Sequence, residues 1–392
     1  MSMSRPSDAQ PDAPLSGLTV IDLSQFLSGP YCSLRLSDLG ARVIKVERPN
    51  VGDLSRHLYL SDTEIGGDST IFHAINRGKE SIALDLKNTG DLSKLTQLLR
   101  QADVMIQNFR PGVATRLGLD YNRVQAINPA LVYGSISGYG TQGPWVKRPG
   151  QDLLAQARSG AMWLNGDASQ GPVPFGLAIG DMMAGVALSQ GILAALVQRG
   201  ISGKGRLVET SLLEALIDLQ FEVLTTHLND GKRAPKRSSF NNAHAYLAAP
   251  YGVYRAADGY LALAMTDLPR LLELLDVAGM EDVVADPANG FRKRDDIKRA
   301  IAARLETGSI AHWLAILEAE DIWCSEVLDW QTLLDGDGFK ALDMLQRVTR
   351  DDGVSIETTR TPILFDGIRP MGSKAAPLVG EHSDQIRQEF GL

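Results

Sequence analysis

Cysteine is nearly absent: the 392 residues include only Cys32 and Cys324. Two thiols so far apart build no disulfide framework, so a reducing, cytoplasmic setting is expected, with each sulfur acting as a small buried apolar group. Long apolar runs are scarce too. The segment 182–197 is short and contains Gln190, which leaves no stretch of the roughly eighteen apolar residues a membrane helix needs. Basic excess is missing, since the net charge is −8 and the pI about 5.4. Such a field repels nucleic acid and anionic membranes, and an anionic ligand needs a local basic patch. His57, His73, His227, His244, His312 and His382 form no i, i+4 pair, and neither cysteine has a neighbouring ligand, so no metal set emerges. A phosphate-binding G-x-x-x-x-G-K-[ST] loop is also lacking. The run Gly134–Gly138 is no G-x-S-x-G elbow, because Ile136 occupies the serine position.

Residues 1–14 are polar and rich in proline and read as a disordered leader. From Leu15 onward, short apolar strands alternate with helices. Strands are expected at 18–23, 41–47, 81–86, 103–108, 131–136 and 207–211. Ser28-Gly29-Pro30 reads as a turn, and helices are expected at 31–39, 90–101, 113–117, 121–128 and 212–228. This rhythm predicts an α/β fold with a doubly wound, Rossmann-like parallel sheet covered on both faces. Residues 229–242 are polar and basic and read as a linker or mobile loop. A hairpin (251–255 and 260–265) and three amphipathic helices then suggest a smaller α+β domain. The expected division is 15–229 for the first part of the large domain, 230–330 for the small one, and 331–392 for a return to the large one. Further strands are expected near 344–349 and at 362–365.

Gly138-Tyr139-Gly140-Thr141-Gln142-Gly143 matches G-x-G-x-x-G, but Pro144, Pro149 and Gly150 follow where a dinucleotide site needs a helix to open. A different stretch organises the chain. Phe175–Ile179 leads to Gly180 and Asp181, and an almost uncharged helix follows, expected to be buried on nearly all sides. Asp181 has two readings: a cap for that helix, or a carboxylate nucleophile at the mouth of a buried site. Arg48, Lys87, Arg110 and Arg116 stand near strand C-termini, where an open α/β sheet holds its ligand, and together suit a polyanion such as a nucleotide phosphate.

Seven stretches in order resemble the family III coenzyme A transferases, which include formyl-CoA transferase, carnitine CoA-transferase and the α-methylacyl-CoA racemase branch. They are residues 15–23, 39–49, 76–87, 103–112, 135–144, 180–185 and 377–382. The resemblance implies that Asp181 is the nucleophile. It implies that CoA contacts fall on Arg48, Leu84, Lys87, Asn108, Phe109, Arg110 and Arg116, with Gly150, Gln151 and Asp152 lining the same cleft. It further implies transfer of CoA from an acyl-CoA donor to a free carboxylic acid through an aspartyl anhydride and an aspartyl-CoA thioester. CoA thioester is then a substrate, with no tightly bound cofactor. An interlocked homodimer, with neither nucleic acid nor membrane as partner, completes the expectation.

The alternative is a CoA-thioester racemase or isomerase. That branch pairs its aspartate with a histidine, and Gln151, which aligns there, cannot exchange a proton near neutral pH. Two features depart from formyl-CoA transferase: Leu27 replaces a glutamine, and Asn241–Pro250 replaces a run of four glycines. Oxalate and formate are therefore not expected as the specific pair.

Overall fold

The computed structural model describes residues 13–370, 372 and 374–392. Most of the expected leader thus lies outside the described residues. Six strands build the main sheet: β1 (Thr19–Asp22), β2 (Arg42–Glu47), β3 (Glu80–Ala83), β4 (Val104–Gln107), β5 (Val132–Ser137) and β6 (Leu207–Ser211). Their order is β3-β2-β1-β4-β5-β6, and every pairing is parallel. Successive residues of each strand enter opposite cores. Val20, Val43, Val104 and Val132 face one, with Ile21, Ile44, Met105 and Tyr133 in the other. Burial on both sides explains why these strands read as continuous apolar runs. The order reverses between β1 and β4, the switch point at which such sheets leave a crevice beyond their C-terminal ends.

Helices α1 (Ser28–Asp38), α2 (Thr89–Gln101), α3 (Asp152–Ser159), α4 (Ile179–Ser202) and α5 (Leu212–Leu219) follow in the chain. Helices α1, α4 and α5 supply Cys32, Leu36, Ala184, Leu188, Ile192, Leu212 and Leu216 to the first core, and α2 supplies Leu95, Leu98 and Leu99 to the second. Ser28-Gly29-Pro30 is not a free-standing turn but the first turn of α1. Proline is tolerated there because the opening N–H groups have no intrahelical acceptor. Helix α4 runs for 24 residues, well beyond the expected 182–197, and by length and composition alone it is apolar enough to cross a membrane. Nor is it buried all round. Ala184, Leu188, Ile192 and Ala195 are covered, whereas Val186, Val197 and Ile201 are exposed.

The chain divides into two compact units. One takes the chain through Ala155, Ala178–Leu219 and Asp343–Leu392; the other takes Gln156–Leu177 and Gln220–Leu342. The second unit is therefore larger than the expected 230–330. The helix expected over 212–228 breaks at Gln220, so α6 (Phe221–Asn229) starts the long segment of this unit. Its sheet pairs β7 (Gly252–Ala256), β8 (Gly259–Leu263) and β9 (Cys324–Glu326) antiparallel, beneath α7 (Arg294–Leu305) and α8 (Ile310–Ala319). The basic stretch 229–242, read as a linker or mobile loop, is held by charged groups. Arg294 donates to the Lys236 carbonyl, Lys298 to that of Asn241 (2.9 Å) and Arg237 to that of Asn165 (2.6 Å). In the first unit β10 (Leu345–Thr349) pairs antiparallel with β11 (Ser355–Thr359). Residues 362–365 form no strand; Phe365 makes only a bridge to Ile368.

Helices α1 and α4 meet backbone to side chain at Gly185. A Cβ there would stand 2.7 Å from the Ser28 carbonyl oxygen and 3.0 Å from the Tyr31 ring. Gly185→Ala should therefore destabilise the protein by about 1–3 kcal/mol, through forced separation of the two helices, and lower its urea midpoint.

Candidate active site

The turn between β1 and α1 lies at the switch point and is fixed from two sides. Asn108, just past β4, accepts from the Gln25 N–H (2.9 Å) through Oδ1 and donates through Nδ2 to the Gln25 carbonyl (2.7 Å) and the Ser28 hydroxyl (3.4 Å). From below, buried Lys45 donates to the Ser24 carbonyl (2.9 Å) and pairs with Asp53 (2.7 Å). Asp53 in turn accepts from the Phe26 N–H (3.1 Å), and Phe26 holds a left-handed φ of 63°. Lys79 and Asp22 pair beside them, 3.1 Å apart and fully buried. Burial lowers the Lys79 ammonium to about 8. Burial by itself would raise Asp22, but Lys79 and Lys45 hold that carboxyl well below its usual range. A buried pair of this kind is costly to break, so the turn is firmly placed.

Asp181 lies in the first turn of α4, and its side chain does not cap the helix. The capping position, Ala178, has no side-chain acceptor. Instead Asp152 reaches across, and its Oδ1 accepts from the N–H groups of Gly180 (2.7 Å) and Asp181 (3.1 Å). A Cβ on Gly180 would stand 2.9 Å from that oxygen, so glycine is what lets the carboxylate approach. Asp152 is itself placed by a close backbone crossing. A Cβ on Gly138 or Gly150 would fall 2.5 Å from the other's Cα. The cap reading of Asp181 is thereby corrected: its neighbour performs that task and leaves the Asp181 carboxylate for other work.

Burial raises the Asp181 carboxyl to about 6, the Asp152 charge adds to the rise, and a hydrogen bond from the Ser28 hydroxyl opposes it. Helix N-termini ordinarily stabilise a carboxylate. Here loss of water and a second negative charge outweigh that effect. The product is a mostly ionised yet poorly solvated carboxylate at neutral pH, which is a stronger nucleophile than a solvated one.

The residues expected to contact CoA divide by environment. Arg48 directly follows β2, Lys87 follows β3, Arg110 follows β4, and Arg116 lies on the short helix Val113–Leu117; all four are exposed. Among the described residues none of them forms an ion pair, so all four are free to meet phosphate. Leu84 does not offer its side chain, which is 1% exposed in the core, and its N–H donates to the Glu47 carbonyl. Phe109 is half-buried against the second core, and its N–H donates to Gln107 Oε1 (2.8 Å). Asn108 spends its amide on the Gln25 turn, and Asp152 spends one oxygen on the α4 cap. Gly150 and Gln151 are exposed just before α3. After Gly138–Gly143 the next helix opens only at Asp152, so that loop lacks the helix a dinucleotide fingerprint requires. Ser28 escaped the sequence reading because it was taken for part of a turn. The capping role of Asp152 had one available signal: a helix that starts after alanine needs an acceptor from elsewhere.

Because the folded carboxyl of Asp181 sits near 6, above its ordinary 3.8, ionising it costs stability. The penalty is absent below the ordinary value, grows as pH rises, and levels off above 6 at no more than about 3 kcal/mol. Asp181→Asn should therefore raise the melting temperature at pH 7.5, and thermal scans should show that gain shrinking as pH falls toward 4.

Comparison with known proteins gives the family. The profile of the family described as CoA-transferase family III matches residues 15–383. An acetyl-CoA:oxalate CoA-transferase of Acetobacter aceti is 33% identical, over 99% of this chain and 98% of its own. A succinyl-CoA:mesaconate CoA-transferase of Haloarcula hispanica is 32% identical, over 96% of each chain. The crystal structure of a CAIB/BAIF family protein from Brucella suis superposes with a TM-score of 0.82 at 30% identity, covering 96% of this chain and 99% of that one. The protein belongs to family III of the CoA-transferases.

Proposed function

We propose that the protein moves coenzyme A from an acyl-CoA donor to a free carboxylic acid, with Asp181 as the nucleophile. The observation that carries this reading is the state of Asp181: poorly hydrated, raised to about 6, relieved of capping, and in the first turn of α4. An oxygen of Asp181 attacks the thioester carbonyl, the C–S bond breaks, and CoA leaves as thiolate from a mixed anhydride. The thiolate then attacks the aspartyl carbonyl, the C–O bond to the donor acyl group breaks, and the donor acid departs from an aspartyl-CoA thioester. An acceptor carboxylate attacks that thioester, forming a second anhydride and releasing thiolate again. Attack of thiolate on the acceptor's acyl carbonyl regenerates Asp181. Each step exchanges one acyl bond for another, so neither metal nor redox cofactor is called for. Arg48, Lys87, Arg110 and Arg116 would take the phosphates of CoA. The names of the relatives point to small dicarboxylates as acceptors.

Asp181→Ala should abolish CoA exchange between succinyl-CoA and a panel of mono- and dicarboxylates, followed by the mass of new thioesters, while CoA binding by calorimetry persists. Exchange that survives the substitution refutes the reading. In the wild type, kcat/KM should fall as pH drops through about 6, because only the carboxylate attacks. Deuterium wash-in beside the thioester without any acceptor acid would instead reveal the isomerase chemistry.

We further propose that the chain works as a homodimer. Helix α6 has no buried residue, and Phe221, Leu224 and Leu228 line one face of it in the open. On α4, Val186, Val197 and Ile201 are likewise uncovered. Apolar rows of this kind favour association. Sedimentation at micromolar concentration should show twice the mass of the 42.4 kDa chain; a monomer would remove this proposal.

A further inference from the structure

Beside Arg48 lies a buried carboxylate that the reaction scheme above does not use. Glu47 is the last residue of β2 and is 2% exposed, whereas Arg48, the next residue, is exposed. A carboxylate has about four acceptor positions, and one taken out of water needs them filled. Glu47 fills four. Its Oε1 accepts from the Asp53 N–H (2.9 Å) and from Arg56 Nε (2.9 Å). Its Oε2 accepts from Arg56 Nη2 (2.7 Å) and from the Ser81 hydroxyl on β3 (2.6 Å). The bond to Asp53 is the informative one. Glu47 stands at one end of the loop 48–52 and Asp53 at the other, so the side chain ties the loop to its own start. Arg56 is fixed in its turn. It pairs with Asp68 (3.0 Å) and donates to the Pro377 carbonyl (2.9 Å), and Arg350 meets the other oxygen of Asp68 (3.3 Å). The loop rests on this guanidinium: Gly52 holds a left-handed φ of 69°, and a Cβ there would stand 2.6 Å from Arg56 Nε and 2.8 Å from Val379. Arg48 is thereby gripped on both sides of its Cα. The Glu47 carbonyl accepts from the Leu84 N–H (2.9 Å), and the Arg48 carbonyl accepts from the Gly52 N–H (2.9 Å).

We propose that Glu47 is a positioning residue for coenzyme A: its carboxylate fixes the loop 48–52, so that Arg48 meets a phosphate of the ligand already in place. This rests on the reading that Arg48 is a CoA contact. A buried ion pair adds little stability over apolar packing, so stability is a weak reason for the Glu47–Arg56 pair. Placement is a better one, because one of the four bonds goes straight to the far end of the loop that carries Arg48. A guanidinium on a loose loop would have to give up backbone freedom when phosphate arrives, and that cost is subtracted from affinity. Here the freedom is already lost on folding. The stretch 377–382 gains a task as well, since Pro377 holds Arg56 and Val379 packs against Gly52. Glu47 makes no bond to a reacting atom in the scheme above, so its effect falls on binding and not on acyl transfer.

A double-mutant cycle on CoA affinity, measured by calorimetry on the full chain, separates placement from plain stability. Arg48→Ala should weaken CoA binding roughly 10- to 100-fold, the range for one charge-assisted contact. Glu47→Gln should weaken it about tenfold, near the worth of one backbone residue's freedom. It should raise KM for succinyl-CoA by the same factor and leave kcat unchanged. In the Arg48→Ala background Glu47→Gln should have no further effect on affinity, because the two act through one contact. A carboxylate that only stabilised the fold would lower kcat along with the folded fraction, or weaken binding equally in both backgrounds. Gly52→Ala keeps every charge and forces the loop off Arg56. It should give the same split, and it decides the matter if Glu47→Gln does not fold. Wild-type affinity in a folded Glu47→Gln or Gly52→Ala protein, or an equal loss in both backgrounds, overturns the proposal. If Arg48→Ala weakens binding in the same series, the Arg48 reading survives that result. An Arg48→Ala protein with wild-type affinity removes both.

Discussion

Two carboxylates share one helix N-terminus, and the architecture of the site follows from keeping them apart in role. Asp152 satisfies the first free N–H groups of α4, through contacts of 2.7 and 3.1 Å, and so takes the part that a side chain at the start of a helix usually plays. Asp181 is then carried by the helix without being consumed by it. Its water is stripped by burial, and its neighbour's charge raises its basicity further. Both effects work against folding stability, and both favour attack on an acyl carbon. The rest of the first unit supplies the rigidity that holds so unfavourable a group in place.

That rigidity has identifiable sources. Glycines at 138 and 150 let two backbones cross at a separation no Cβ would permit, which sets Asp152. Gly180 gives Asp152 its approach, and Gly185 lets the Ser28–Cys32 turn of α1 press on α4. Beneath the switch point, Lys45, Asp53, Lys79 and Asp22 form a buried ionic floor under the β1–α1 turn. Such pairs add little net stability relative to apolar packing, but removing one partner strands the other. Their evident use here is to specify the path of one turn, with Asn108 closing it from the β4 side.

The same sheet separates the exposed cations from the raised carboxylate. Exposed, unpaired cations follow β2, β3 and β4 on a chain whose net charge is −8, so attraction for phosphate is local while the molecule as a whole repels polyanions. The carboxylate that would react lies instead at the buried start of α4. Strong fields suit a solvated ligand such as a nucleotide phosphate, whereas a dry pocket suits a carboxylate nucleophile. One parallel sheet can offer both, because residues just past its strands are exposed while the faces of α1 and α4 packed on its core are not.

Much of this was legible in the chain. Strand and helix rhythm announced the parallel sheet, since residues buried on both faces leave continuous apolar runs such as Val43–Ile44 and Val104–Ile106. Composition announced an acidic protein in which an anionic ligand needs a local basic patch, and the ordered motifs from Leu15 to His382 carried the family. What the chain alone left undecided was every relation between distant residues. Asp152 and Gly180 are 28 positions apart, Gln25 and Asn108 are 83 apart, and no local periodicity reports such pairings. Ser28 looked like a turn residue until α1 was seen to begin there. For Asp181 the residues themselves left cap and nucleophile both open, and the cap arrived from elsewhere. Sequence determined which groups were present and which elements held them, because propensity and burial patterns are local. Tertiary structure alone decided which carboxylate capped and which was left free, because that choice depends on backbones meeting across the fold.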